Sequence, residues 1–117
     1  MILNHINLTV TDVPAAKAFL QTYFGLQGAE EGSVNKNFDV VFDDNGMVVT
    51  LMKGKRGAEV VYPGTFHIGF GQASEADVNA VYERLKADGY DVAPPERHHA
   101  WTFYVQAPGG FTVEVLA

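Results

Sequence analysis

The chain is built from one pattern used twice, and this repeat constrains the fold more than any other feature. His5-Ile6-Asn7-Leu8 is matched by His67-Ile68-Gly69-Phe70, and Gly46-Met47-Val48-Val49-Thr50-Leu51-Met52 by Gly110-Phe111-Thr112-Val113-Glu114-Val115-Leu116. Thr50 follows His5 by 45 residues, and Glu114 follows His67 by 47. A near-constant spacing between matched segments indicates two copies of one supersecondary unit. Identity between the halves is low, so the inference rests on the order of the segments. Thr50 takes the place of Glu114 in the comparison.

Each half reads as strand, helix, strand, strand, strand. Residues 3–10 alternate, with Leu3, His5, Asn7 and Thr9 on one face and Ile6, Leu8 and Val10 on the other. Thr11 or Asp12 can cap a helix, Pro14 fits its first turn, and Gly25 stops it. Ala16, Phe19, Leu20 and Tyr23 have the spacing of one buried helix stripe. A short strand is expected at 26–30 and a polar loop at Glu31–Asn37. A hairpin then joins Phe38–Asp43 to Met47–Met52 across Asp44-Asn45-Gly46. The pattern restarts with a strand at Phe66–Gly71. A helix follows, capped at Ser74 with Asp77 three residues on, carrying Val78, Val81, Tyr82 and Leu85 on one face and ending at Gly89. Tyr90–Ala93 is expected to be extended and broken by Pro94-Pro95. Trp101–Gln106 and Phe111–Leu116 make the last hairpin. The fold class expected is α+β, with two βαβββ modules. Module one is about 1–52, the linker about 53–65 and module two about 66–117, together one domain of 117 residues.

Composition narrows the function classes. A net charge of −6 argues against nucleic-acid binding, which needs a basic face. Lys53, Lys55 and Arg56 read as a solvated loop. There is no cysteine, hence no disulfide framework and no thiol nucleophile. No segment is apolar enough to span a membrane, and residues 1–5 lack the marks of a signal peptide. The expected location is cytoplasmic.

The residues that carry chemistry are polar side chains on strands. A carboxylate in the middle of a strand is unusual, because Glu is depleted in strands and rarely buried without a partner. Glu114 shares a strand face with Thr112, and His5 shares one with Asn7 and Thr9. Two imidazoles and a carboxylate can occupy one face of an octahedral ion and leave positions open for substrate. A lone strand histidine is usually structural, and Glu114 alone would suit a lysine at a rim. The weight lies in finding all three at matched places of the repeat. Tyr104 falls on the same face as Glu114, where its hydroxyl could reach a substrate. His98 and His99 are read as exposed loop residues, with pocket lining the lesser alternative. Trp101 and Phe103 are read as core or interface aromatics. Met47 and Met52 are read as packing, because a thioether suits soft metals.

His5-Ile6-Asn7-Leu8-Thr9-Val10, His67-Ile68-Gly69-Phe70 and Pro108-Gly109-Gly110-Phe111-Thr112-Val113-Glu114 resemble the vicinal oxygen chelate superfamily over essentially the whole chain. That group takes in glyoxalases, fosfomycin-resistance enzymes, extradiol dioxygenases and bleomycin-resistance proteins. One departure is Ala107-Pro108, where Asp-Pro is usual. The resemblance implies curved mixed sheets forming a cup around one divalent ion per site, manganese, iron, nickel or zinc. It assigns His5, His67 and Glu114 as ligands, Thr50 to the fourth position, and a homodimer of paired modules. Glu114 and Tyr104 are then the candidate catalytic groups, and Asn7, Thr50 and Tyr104 the candidate pocket. The expected function is a metal-dependent lyase, transferase or dioxygenase acting on a small oxygen-rich molecule that chelates the ion. Lactoylglutathione lyase activity is not expected, because position 50 lacks a carboxylate. Fosfomycin-type chemistry is weakened by the want of a clear basic phosphonate site, and ring cleavage by the short chain. The alternative is a metal-free protein that sequesters a drug or metabolite, for which the acidic balance would suit a cationic ligand.

Overall fold

The computed structural model describes residues 1–28 and 35–117. The described elements run β1 (His5–Val10), α1 (Val13–Phe24), β2 (Gln27–Gly28), β3 (Phe38–Phe42), β4 (Val48–Lys53), β5 (Ile68–Gly71), α2 (Glu75–Ala87), β6 (Glu96–Arg97), β7 (Trp101–Gln106) and β8 (Thr112–Leu116). The α+β class and the doubled βαβββ order are both present. The chain divides into two compact units, Met1–Tyr62 with Pro108–Phe111, and Pro63–Ala107 with Thr112–Ala117. The end of the expected strand at 26–30 and most of the expected loop at Glu31–Asn37 lie outside the described residues.

The first unit has a four-stranded sheet in the order β1-β4-β3-β2. β1 and β4 run parallel, and the other pairs antiparallel. The alternation in β1 is realised, with Leu8 and Val10 fully buried and His5 and Asn7 exposed. A one-residue slip would turn Leu8 and Val10 outward and lose roughly 4 kcal/mol of apolar burial. Asp12 caps α1, its carboxylate accepting from the Ala15 amide at 3.0 Å. Gly25 closes the helix at φ 67°, in the left-handed region that glycine enters without strain. The β3–β4 turn is held by Asp43, whose carboxylate accepts from the amides of Asn45 and Met47 at 2.9 and 2.8 Å. Met47 is half-buried, but Met52 is 46% exposed beside Phe38, its partner in β3, so the packing role expected for Met52 is not found.

The buried stripe of α1 differs from the expected one. Val13, Ala16, Lys17, Phe19 and Leu20 are buried, while Tyr23 is half-exposed. Lys17 stays inside because its ammonium donates to Asp39 at 2.9 Å, with both side chains nearly buried. Burial works to raise the Asp39 carboxyl. Hydrogen bonds from Lys17 and from the Val40 amide, with the Lys17 charge, more than offset this and hold it below its ordinary value of 3.8. A carboxyl depressed in the folded state adds stability that is present above its unfolded pKa and lost as pH falls through the folded one. Lys17→Met is therefore expected to destabilise the protein by about 2–4 kcal/mol at neutral pH, because Asp39 loses its cation while remaining buried. Below about pH 4 the difference from the parent should shrink. Urea unfolding of both proteins across pH 3 to 7 measures this, and a pH-independent difference would remove the ion pair as its cause.

Pro108–Phe111 also belongs to this unit. Gly109 has φ 104°, and a Cβ there would lie 3.0 Å from Val10 Cβ, so both backbone angle and space demand glycine. Its carbonyl accepts from the Thr11 amide at 3.1 Å.

The second unit repeats the sheet order, as β5-β8-β7-β6, with β5 and β8 parallel. Ser74 caps α2 by accepting from the Asp77 amide. Val78, Val81, Tyr82 and Leu85 are buried as the stripe predicts. Phe103 is buried edge-on to Tyr82 at 5.8 Å between centroids, the core role expected of it. Trp101 is half-buried, with its indole donating to Asn79.

Two expectations in this half are corrected. Tyr90–Ala93 is not a strand, because the Tyr90 amide is spent on Leu85 in closing α2. Ladder pairing starts only after Pro94-Pro95, where Glu96 and Arg97 pair with Thr102 and Trp101. Proline has no amide hydrogen for a ladder. The strand expected at Phe66–Gly71 begins at Ile68, so His67 precedes it.

Candidate functional site

The registers place Thr50 and Glu114 at the same point of their sheets. Thr50 lies between Asn7 and Val40, and Glu114 between Gly69 and Tyr104. Asn7 and Gly69 each follow a matched histidine by two residues. The correspondence read from the repeat is thus a structural one.

In the first unit, the Thr50 hydroxyl donates to Asn7 Oδ1 at 2.7 Å. The same strand face carries His5, whose Nδ1 donates to Asn4 Oδ1 at 2.7 Å. That bond leaves Nε2 as the ring atom with a free lone pair.

In the second unit, Glu114 is 5% exposed and has four partners. Thr102 Oγ1 donates to Oε1 at 2.8 Å and Tyr104 donates to it at 3.1 Å. His99 Nε2 is 2.8 Å from Oε1, and His67 Nε2 is 3.1 Å from Oε2. Burial works to raise the Glu114 carboxyl. The hydrogen bonds from Thr102 and Tyr104, then the charges of His99 and His67, outweigh it and hold the group below its ordinary 4.5. Glu114 is therefore ionised at neutral pH. The Tyr104 phenol is shifted up from its ordinary 10.0, by burial of its hydroxyl first and then by Glu114, so it stays a donor. Its ring stands edge-on to His67 at 5.4 Å. It lines two clefts, one of about 270 Å³ with Thr65, His67 and Thr112, the other of about 190 Å³ with Glu96, His98 and Thr102.

The hydrogen bonding of His67 is the informative part. Its Nδ1 lies 3.0 Å from the Thr65 carbonyl oxygen. A carbonyl can only accept, so Nδ1 carries the hydrogen. In the neutral ring the lone pair is then on Nε2, facing a carboxylate oxygen at 3.1 Å. Two acceptors at that distance repel unless a proton or a cation lies between them. Two ligand atoms, each about 2.1 Å from one ion and at right angles, are about 3 Å apart. The spacing of this pair is that of two neighbouring ligands on one ion. Asn4 and Thr65 hold the Nδ1 atoms of His5 and His67, the kind of outer contact that orients a histidine at a metal site.

His67, Glu114 and Tyr104 come together within the second unit, and Asn7 and Thr50 within the first. His5 belongs to the first unit. Among the described residues, no group of three or more His, Asp or Glu side chains is arranged to hold a metal ion. Thr102 goes unread in the sequence, and His99 reads there first as an exposed loop residue, with pocket lining the lesser alternative. Thr102 shares the strand parity of Tyr104, a signal that points to it. His99 is 57% exposed, as expected of a loop, yet its ring reaches Glu114, while His98 turns to Glu96. Nothing in the sequence separates the two.

A model of the Glyoxalase/Bleomycin resistance protein/Dioxygenase superfamily matches residues 2–115. The chain belongs to this superfamily. Among curated proteins, none matches it. Among solved structures, a possible glyoxalase from Bacillus cereus is 52% identical, with a TM-score of 0.90 over 100% of this chain and 99% of that one. The fosfomycin resistance protein FosX from Listeria monocytogenes is 29% identical, with a TM-score of 0.75 over 100% of this chain and 94% of that one. A lactoylglutathione lyase from Agrobacterium tumefaciens, 19% identical, shares the fold at a TM-score of 0.76 over 98% of this chain and 92% of that one. The superfamily thus includes enzymes on this fold, with two open four-stranded sheets. Among the described residues, no helix is long and apolar enough to cross a membrane.

Proposed function

We propose that this superfamily member is a divalent-metal-dependent enzyme acting on a small, oxygen-rich molecule that chelates the ion. His5, His67 and Glu114 are the ligands. The observation that carries the reading is the facing pair of His67 Nε2 and Glu114 Oε2, with Nδ1 already committed to Thr65. His5 Nδ1 is likewise committed, to Asn4 Oδ1. A solved FosX variant, 27% identical to this chain, is complexed with Mn(II) and a dihydroxypropylphosphonic acid, so manganese is the first ion to test. The ion supplies Lewis-acid polarisation of a substrate oxygen. The chain does the rest. Thr65 and Asn4 hold the imidazoles, Tyr104 and Thr102 hold the carboxylate, and Asn7 and Thr50 offer a paired amide and hydroxyl to the bound molecule. Glu114, ionised and buried, and Tyr104, kept protonated, are the candidate proton-handling groups. The absence of cysteine suits the reducing cytosol.

A homodimer is part of this proposal, since twofold dimers are the commonest assembly and each unit is small. Light scattering at micromolar concentration should give twice the chain mass, and a monomer mass would remove the dimer.

One observation supports a second reading. Both oxygens of Glu114 have protein partners, so a protonated His67 would satisfy the site without an ion. The chain would then be a metal-free binding protein for a drug or metabolite. Metal content after purification without added metal separates the two. About one ion per chain is expected, and a metal-free protein that also fails to bind Mn(II), Fe(II), Ni(II) or Zn(II) by calorimetry would end the enzyme reading.

A further inference from the structure

The two oxygens of Glu114 are served unequally. Oε1 accepts from two hydroxyls, Thr102 at 2.8 Å and Tyr104 at 3.1 Å, and has His99 Nε2 at 2.8 Å. Oε2 has His67 Nε2 at 3.1 Å. A carboxylate oxygen offers two lone-pair sites, so the two hydroxyls fill those of Oε1. On the other side, Gly69 pairs with Glu114 across the ladder and brings no side chain, and a Cβ built there would lie 3.8 Å from Oε2.

The Thr102 hydroxyl is 2.8 Å from Oε1 and 3.0 Å from the Val115 carbonyl, with one hydrogen to give. A charged acceptor wins such a competition. Were the hydrogen given to Val115, the hydroxyl lone pairs would face the carboxylate in a site where Thr102 is 2% exposed. Thr102 is thus the anchor of the three. Tyr104 is 43% exposed and the His99 side chain 57%, so water can replace their contacts with Oε1 more readily.

We infer that Thr102, Tyr104 and His99 are positioning residues that pin Oε1 inside the protein and leave Oε2 as the single coordinating oxygen of Glu114. The inference rests on the metal-dependent reading above. A free carboxylate can swing and clamp an ion with both oxygens, taking two positions. A pinned one takes one position, which keeps more of the coordination sphere open for a molecule that binds through two oxygens.

The test uses the full chain and Mn(II). Thr102→Val is expected to weaken Mn(II) binding about 10- to 100-fold, the usual effect of losing an orienting contact. Thr102→Ser, which restores the hydroxyl, should return affinity to within about threefold of the parent. Tyr104→Phe and His99→Gln should fall between. On adding Mn(II), infrared difference spectra with labelled glutamate should show the widely split carboxylate stretches of one-oxygen coordination in the parent, and a narrower splitting in Thr102→Val. Metal-free melting supplies the independent arm. Thr102→Val should lower Tm by about 5 °C in the parent, and by less than half as much in a Glu114→Leu background, where no carboxylate is left to hold.

Parent-like affinity in Thr102→Val, or equal Tm losses in both backgrounds, would overturn the inference. Narrowly split stretches in the parent would overturn the one-oxygen assignment. A parent that bound no divalent ion would end the metal-dependent reading and the coordination half of the inference with it. The melting arm would still decide whether these side chains hold the carboxylate.

Discussion

Replacing His67 by alanine is expected to lower affinity for Mn(II) by at least about a hundredfold. Loss of an orienting contact alone typically weakens metal binding 10- to 100-fold, and loss of a ligand should do more. The geometry makes this residue the sharpest probe. His67 Nε2 is the group facing Glu114 Oε2, at 3.1 Å, and its other nitrogen is already tied to Thr65. Without the imidazole, Oε2 keeps its charge but loses the neighbour that would share the proposed ion. His98→Ala is the matched control, because its ring turns away to Glu96 at 3.2 Å. Calorimetric titration of parent, His67→Ala and His98→Ala decides the matter. The parent and His98→Ala should give the same curve. If His67→Ala bound Mn(II) as tightly as the parent, His67 would not be a ligand.

The second large effect is an absence of activity. The metal-loaded protein is expected to form no appreciable lactoylglutathione from the methylglyoxal–glutathione adduct. That isomerisation removes a proton from one carbon and returns it to the neighbour, and carboxylates with tuned pKa values can do both. By its family resemblance, a lyase of this kind would carry a second carboxylate at position 50. Here Thr50 occupies that place, and the ladder registers make it the counterpart of Glu114. Its hydroxyl donates to Asn7 Oδ1 at 2.7 Å, and a hydroxyl is no base at neutral pH. Thr50→Glu should change metal preference before it creates the activity, since the Asn7–Thr50 pair would be broken and no substrate pose was built around a carboxylate there. Product formation by the unmodified protein, abolished in Glu114→Gln, would refute this and the importance of position 50.

The architecture was legible because it depends on local patterns that survive without their surroundings. Alternation in residues 3–10, the cap at Asp12, the stop at Gly25 and the turn at Asp44-Asn45-Gly46 each act within a few residues. Doubling them led to the two βαβββ units and to the equivalence of Thr50 with Glu114. Strand parity also put Tyr104 on the face of Glu114, and the ladder register then pairs the two. What failed was competition between neighbours. Tyr90 reads as extended, but its amide closes α2, and the edge strand waits until the prolines are past.

The partners of buried charges were decided by the tertiary structure alone. Lys17 sits on the inner face of α1 because Asp39, 22 residues away, meets it there. His99 and His98 are adjacent and chemically identical, yet one reaches Glu114 and the other Glu96, because the β6–β7 turn aims them differently. The Thr65 carbonyl that sets the His67 tautomer is a backbone atom, and no residue type announces it. Period and turn chemistry are properties of a segment and can be read along the chain. Which acceptor stands within 3 Å of a donor depends on where distant strands and loops place their atoms, and only the folded structure determines that.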